Sequence, residues 1–206
     1  MKFDFYDTVF PILSPIVFGS AAIYFLVVGF RGILTKRPFL ISQRWFLSIM
    51  CAIIIPTILL PSLLSFPGDF FMRWGYPLMF GFILLMMCYQ MRGYTAYAVT
   101  DTSFREALIE ALQKLQLPYE ESLSLIRLTS IEADLQVFVQ GWMGTGLIKV
   151  KQRAHRTVLR EIVKAMNEHF RISSAPTNMT PCVFSVVLGG FMIIFTVSML
   201  FSRSIF

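Results

Sequence analysis

The sequence has little charge. Of its 206 residues, 15% are charged and 56% are hydrophobic, whereas soluble domains usually contain about 25% charged and about 45–50% apolar residues. This composition argues against a wholly soluble globular protein. Cysteine and histidine are also scarce, with three and two residues. The cysteines have neither disulfide nor metal-site spacing, so we expect buried small side chains, no metal and no cofactor.

Charge is missing altogether from the interior of four long apolar blocks. The blocks are residues 8–30, 45–66, 75–92 and 182–202. About 20 helical residues cross a hydrocarbon core roughly 30 Å thick, and a charge at its centre costs at least about 2.5 kcal/mol. The sequence therefore predicts four transmembrane helices. Asp4 and Asp7 precede the first block where a cleaved signal would be basic, so we expect this block to be retained.

Basic residues are concentrated between the first two blocks. Residues 31–44 include Arg31, Lys36, Arg37 and Arg44 and no acidic residue. Because loops rich in Lys and Arg remain in the cytoplasm, this loop is predicted to be cytoplasmic. The polar stretch after the third block then lies on the same side, and both termini lie outside. The predicted location is the inner (plasma) membrane, as a multi-pass protein.

Three regions follow from this topology. They are a three-helix transmembrane region over 1–92, a cytoplasmic domain over 93–176, and the fourth transmembrane helix with a short tail over 177–206. The predicted fold class is thus a polytopic α-helical membrane protein with a small cytoplasmic α+β domain inserted between helices 3 and 4. About 80 residues are enough to bury one core in such a domain.

Periodicity within the cytoplasmic domain alternates between strand and helix. The predicted elements are a strand in 94–100, a helix over 103–117, strands over 123–128, 131–140 and 147–151, and a helix over 153–171. Ser103 and Glu106 have the spacing of a capping box at the first helix. Strict alternation of apolar and polar residues supports the strand over 131–140. The predicted order is β-α-β-β-β-α with an antiparallel sheet.

A glycine-rich segment, residues 141–146, is predicted to form the hairpin before the last strand. A phosphate-binding loop would lead from a strand into a helix, and here a strand follows. The glycines instead suit the positive φ angles of a hairpin turn. Trp142 and Met143 are large apolar side chains at its tip. The sequence leaves open whether they pack on the core or contact lipid or a partner protein.

Basic residues form a stripe along the last predicted helix. The basic stripe consists of Arg153, Arg156, Arg160 and Lys164, with Lys149 and Lys151 on the preceding strand. The four helical residues fall within an arc of about 80° opposite the apolar side. A solvated face, a headgroup-binding face and a partner-binding face are the alternatives. We predict that these six residues, with Trp142 and Met143, contact a partner or anionic headgroups.

The sequence shows no catalytic constellation. His155 and His169 lie about 21 Å apart along the predicted helix, so they cannot share a metal ion. No nucleophile is placed beside a base, and no pair of carboxylates stands out from the surface acids. We therefore predict no catalytic residue.

The predicted function is that of a non-enzymatic integral membrane accessory or scaffold protein. Its α+β domain is expected to dock a partner protein or the anionic inner leaflet. The expected partners are the lipid bilayer, anionic lipid headgroups and other membrane-complex subunits, but no nucleic acid, because the domain has almost no net charge. Two alternatives stay open. One is a small channel or transporter for an uncharged solute, acting as an oligomer, and the other is a membrane-bound enzyme with a site at the cytoplasmic interface.

Overall fold

The computed structural model describes residues 10–55, 70–122, 125–131, 133–173 and 176–203. These residues contain six α-helices and one six-stranded sheet. The helices are α1 (Phe10–Thr35), α2 (Gln43–Ile54), α3 (Phe70–Gln90), α4 (Asp101–Lys114), α5 (Arg156–Ile172) and α6 (Thr180–Arg203). The strands are β1 (Phe39–Ser42), β2 (Tyr94–Tyr97), β3 (Tyr119–Ser122), β4 (Leu125–Leu128), β5 (Ala133–Gln140) and β6 (Thr145–Val150).

The chain forms two compact units. The helical unit comprises Met1–Val27, Arg44–Met91 and Val186–Phe206. The sheet unit comprises Val28–Gln43 and Arg92–Ser185. The sheet unit is therefore built from two separate stretches of chain, and the shorter of them contains β1.

Among the residues that the structure describes, two helices are long and apolar enough to cross a membrane. They contain the segments Ser14–Thr35 of α1 and Thr180–Phe201 of α6, which correspond to the first and last predicted spans. The predicted spans 45–66 and 75–92 coincide with helices only in part. The apolar part of α3, Pro77–Tyr89, is shorter than a span, and residues 56–69 lie outside the described residues. The second and third spans remain a prediction.

Small residues allow α1 and α6 to approach closely in the helical unit. A Cβ atom at Gly189 of α6 would lie 2.8 Å from Cγ of Leu26 in α1. The rings of Phe18 and Phe195 meet edge to face with their centroids 5.3 Å apart. The glycine thus serves packing between these helices, as small residues do in membrane bundles.

The predicted burial of the cysteines is only partly correct. Cys182, in the part of α6 that belongs to the sheet unit, is buried. A Cβ atom at Gly32 of α1 would lie 2.1 Å from its Sγ atom, so Cys182 occupies the space that the glycine leaves. Cys51 is half-buried, and Cys88 is exposed on α3. The prediction is wrong for Cys88, whose side chain is exposed although it is within hydrogen-bonding reach of the Cys51 thiol.

The sheet is antiparallel throughout, as predicted, with the strand order β1-β2-β6-β5-β4-β3. From β2 the chain passes through α4 to the far edge, β3, and returns strand by strand to β6. In the register, Phe39 pairs with Tyr97 across β1 and β2, and Leu135 pairs with Val150 across β5 and β6. β1 thereby completes the edge next to β2.

One core joins the sheet to α4 and α5. Phe104 and Leu108 of α4, Met166 of α5 and Leu135 of β5 are all essentially inaccessible to solvent and belong to the same cluster. Phe138, on the opposite face of β5, is 58% exposed. The alternation that predicted β5 therefore separates a covered face from an open one.

Several predicted details of the sheet unit need correction. The helix α4 begins after Thr100, whose hydroxyl accepts a hydrogen bond from the backbone N–H of Ser103, while the Ser103 hydroxyl accepts from the N–H of Thr100. The capping box is thus Thr100 with Ser103, not Ser103 with Glu106. The predicted β-α-β-β-β-α order omitted two strands, β1 and β3.

Candidate functional site

The basic stripe lies on the solvent-facing side of α5. Arg156, Arg160 and Lys164 are exposed, whereas Ile162 and Met166 point into the core. Arg153 precedes α5 in a short 3-10 turn, Arg153–His155, and its side chain is outside the described part of the chain. On the preceding strand and just after it, Lys149 is half-buried and Lys151 is exposed.

Glu168 of α5 forms an ion pair with a lysine of α4. Oε2 of Glu168 accepts a hydrogen bond from Nζ of Lys114 on α4 at 2.7 Å. This bond and the charge of Lys114 are the main reasons that the pKa of Glu168 lies below its usual value, with smaller effects from Lys164 and Arg171. The negative charge of Glu168 therefore offsets mainly the positive charge of Lys114, and only to a smaller extent that of Lys164 in the basic stripe.

The hairpin tip between β5 and β6 exposes a tryptophan. Gly141–Met143 form a 3-10 turn, and Gly144 closes it with a φ of 65°. A Cβ at Gly144 would lie 2.6 Å from the carbonyl oxygen of Asn178, so this position requires glycine on two grounds. Trp142 is 77% exposed and Met143 is half-buried. Trp142 therefore does not pack on the core.

Asn178 ties this tip to the beginning of α6. Its Nδ2 atom donates to the carbonyl oxygens of Gly141 at 2.7 Å and Trp142 at 3.4 Å. Its Oδ1 atom accepts from the backbone N–H and the hydroxyl of Thr180, the first residue of α6. The exposed indole is thus held next to the start of an apolar helix.

The sheet unit also contains a cavity that sequence reasoning missed. Its volume is about 450 Å³, and it lies between the end of α1, the link to β1 and the last turn of α5. The lining residues are Arg31, Thr35, Arg37, Pro38, Phe39, Asn167, Phe170 and Arg171. The volume falls within the range of about 300–1,000 Å³ that is usual for small-molecule sites.

The cavity wall is organised by contacts among its own residues. The guanidinium carbon of Arg31 lies 5.0 Å from the centroid of the Phe39 ring, a cation–π arrangement. Nη1 of Arg37 donates to the carbonyl oxygen of Arg171. Oδ1 of Asn167 accepts from the backbone N–H of Leu40 at 2.9 Å, which ties α5 to β1. Three arginines from separate segments are thereby brought together.

One signal in the sequence did point toward this cavity. At about 100° per residue, Asn167 and Arg171 fall within the same arc of α5 as Arg156, Arg160 and Lys164. The polar face of α5 therefore continues into the cavity. Arg31 and Arg37 had no such signal, because only the pairing of β1 with β2 brings them to α5.

The two histidines lie at opposite ends of α5. Nδ1 of His169 lies 2.5 Å from Oε2 of Glu110 on α4, and His155 is at the beginning of α5. Across the residues that the structure describes, no group of three or more His, Cys, Asp and Glu side chains is placed to bind a metal ion.

Comparison with known proteins gives no match: no protein-family model, curated protein or solved structure corresponds to the chain. A function must therefore be inferred from the chain's own residues. The informative features are the two apolar helices, the exposed Trp142 tip, the basic stripe and the arginine-lined cavity.

Proposed function

We propose that the protein is a non-enzymatic integral membrane accessory or scaffold protein. Its sheet unit rests on the anionic inner leaflet and docks other subunits of a membrane complex. The apolar helices provide the anchor. Only 11% of the apolar segment of α6 is buried within the protein, whereas the core helix of a soluble protein would be mostly buried. Such an apolar surface needs lipid or a protein partner to cover it.

The observation that carries this proposal is the position of Trp142. Its tip is hydrogen-bonded through Asn178 to the first residue of α6, where the candidate span Thr180–Phe201 begins. Tryptophan is enriched at the boundary between hydrocarbon and water, where its ring is buried and its N–H stays hydrated. A tryptophan exposed beside the end of a span therefore fits the headgroup level of a bilayer.

The basic stripe supplies the electrostatic part of the proposal. Each Lys or Arg near an anionic leaflet contributes about 1 kcal/mol at physiological salt. Arg156, Arg160 and Lys164 leave the helix on one side and remain exposed. The same face is available to a protein partner with acidic side chains, so leaflet and partner compete for it or share it.

The orientation of the protein is also part of this proposal. Four spans with both termini outside would leave the sheet unit in the cytoplasm, in agreement with the basic residues of segment 31–44. The inner leaflet is the anionic one, so a basic surface on that side is in the appropriate place. The count of four spans depends on residues 45–66 and 75–92 also crossing the bilayer.

The depth of Trp142 in the bilayer tests the proposal. Trp45 and Trp74 are replaced by Phe, and the full-length protein is reconstituted in vesicles that contain lipids brominated at known depths. We expect strongest quenching of Trp142 by lipids brominated near the headgroup, and protection from aqueous iodide. Equal access to iodide in vesicles and in detergent would refute the leaflet contact.

The docking function needs its own measurement. Replacing Arg156, Arg160 and Lys164 by Gln should remove co-purifying membrane subunits in a mild-detergent pulldown and leave the protein folded. The matched control replaces Arg105 and Arg127, two exposed basic residues outside α5. If the control variant loses as much of the co-purifying subunits as the stripe variant does, the basic stripe is not the docking face. If a single subunit with a bound small molecule is isolated, the transporter and enzyme alternatives gain support.

A further inference from the structure

We propose that the cavity between α1, β1 and α5 binds a phosphate group. Three arginines line it, Arg31 from α1, Arg37 from the link and Arg171 from α5. None of its lining residues, all of which belong to the described part of the chain, is acidic. A cleft lined by charges of one sign concentrates the field within it and attracts a counter-ion. The expected ligand is therefore an anion.

The type of side chain favours phosphate among anions. The guanidinium group has five N–H donors in a planar fork, which matches the oxygens of a phosphate. Bonds of this kind, between charged partners, are about twice as strong as neutral hydrogen bonds. Three forks around one cavity provide enough donors for a tetrahedral group with several oxygens. A single carboxylate has only two oxygens and would leave some of these N–H donors without an acceptor.

Two of the three arginine side chains, Arg31 and Arg37, are positioned by other contacts. The Phe39 ring lies under the guanidinium of Arg31, and the Arg171 carbonyl oxygen uses one donor of Arg37. The remaining donors of Arg37 stay available for a ligand. Asn167 adds an amide to the wall and is itself fixed by its bond to the Leu40 N–H. A preorganised wall lowers the entropy that binding must overcome.

The nearest acidic residue along α5 does not neutralise the cavity. Glu168 does not line it, and its carboxylate is hydrogen-bonded to Lys114. The charge of Arg171 still contributes to lowering the pKa of Glu168, so the carboxylate offsets part of that one arginine. Arg31 and Arg37 have no comparable acid among the cavity-lining residues that the structure describes.

A phosphate can come from a lipid headgroup or from a soluble phosphate compound. Arg31 and Thr35 belong to the last turns of the candidate span Ser14–Thr35. If α1 crosses the bilayer, this end of the helix lies at the level of the lipid phosphates. The lipid source therefore rests on the proposed function, whereas binding of phosphate to the cavity does not.

The test uses the full-length protein in an uncharged detergent and three probes. The probes are dihexanoyl phosphatidic acid, dihexanoyl phosphatidylcholine and inorganic phosphate, and native mass spectrometry measures the bound fraction against concentration. We expect phosphatidic acid to bind, and Arg37→Gln with Arg171→Gln to weaken it about tenfold or more, because charged hydrogen bonds are lost. Arg105→Gln with Arg127→Gln, two exposed basic residues outside α5 and outside the cavity, should bind like the wild type.

A conservative pair separates geometry from charge. Arg31→Lys with Arg171→Lys keeps the charges and removes the planar forks, so it should also bind more weakly than the wild type. Inorganic phosphate binding as tightly as phosphatidic acid would identify the source as soluble phosphate. Absence of binding for both anionic probes would overturn the proposal, as would equal losses for the cavity and control variants. Neither result depends on the depth of Trp142, so the two proposals can fail separately.

Discussion

Truncation of Leu40 tests whether β1 is an integral part of the sheet unit. Leu40 is 7% exposed and belongs to the core cluster with residues of α4 and α5. Its neighbour Ile41 is half-buried and has its side chain on the other face of the strand. Leu40→Ala and Ile41→Ala are therefore a matched pair. Both keep the backbone pairing of β1 with β2 and differ in the core contact that they remove.

The expected magnitudes follow from burial. Leu→Ala at a buried site costs about 2–5 kcal/mol, and an edge strand can relax, so we expect about 2–3 kcal/mol for Leu40. Because Ile41 is only half-buried, Ile41→Ala should lower the free energy of unfolding by about 1 kcal/mol or less. A loss of 1 kcal/mol lowers the thermal unfolding midpoint by about 4–8 °C in a domain of up to roughly 100 residues. The thermal unfolding midpoint of Leu40→Ala should therefore fall by about 10 °C or more.

Cys182 provides a reporter for this measurement. It is 0% exposed and lies within the sheet unit, so a thiol-reactive fluorophore should label it only when the unit opens. Cys51 and Cys88 are replaced by Ala beforehand, and the protein is heated in mild detergent. Equal midpoints for Leu40→Ala and Ile41→Ala would refute the placement of β1 in the core.

Two further predictions concern the topology and the packing of the apolar helices. In a background without native cysteines, Glu120→Cys should react in intact cells only with a membrane-permeant thiol reagent, whereas Gly68→Cys should react with an impermeant one; labelling of Glu120→Cys from outside would contradict the cytoplasmic placement. Gly189→Val should lower the thermal midpoint in detergent by the equivalent of about 1–3 kcal/mol, because its side chain would collide with Leu26. Gly190→Val should have little effect, since nothing lies within 4 Å of a Cβ there, and equal losses would argue against the close approach at Gly189.

Periodicity predicted those elements whose pattern is local. The helices α4 and α5 and the strand β5 have buried residues at helical or alternating spacing along their own length. Their buried faces can be read without knowledge of the partner. Their exact ends were less predictable, since Thr100 as the N-cap depends on the Ser103 hydroxyl rather than on an acidic residue.

Two strands were missed because their pairing is not encoded locally. β1 is a run of four residues with no alternation, placed directly between α1 and α2, and its role becomes visible only through its register with β2. β3, Tyr119–Ser122, is largely polar and lies at the far edge of the sheet. Edge strands are often short and polar, which weakens their hydrophobic signal.

The candidate site shows the same division. The basic stripe was predictable because its members repeat along one helix, but the cavity brings Arg31 and Arg37 to Arg171 from a distant part of the chain. A domain boundary drawn at residue 93 separates the first two arginines from the third. Charge counting along the sequence assigned them to membrane topology, which does not exclude a second role in binding.

The division of the sheet unit between two chain segments has a consequence for biosynthesis. β1 emerges from the ribosome first, and residues 44–91 must be synthesised before its partner β2 follows. At about 5–20 residues per second, the β1 segment waits several seconds with its backbone donors and acceptors unpaired. β1 and β2 can pair only when the two ends of the intervening apolar segment lie close together. Formation of the complete sheet therefore depends on how that segment is placed. A chain in which that segment is misplaced would leave a strand edge unpaired, and unpaired edges of incompletely folded chains are open to chaperones and proteases.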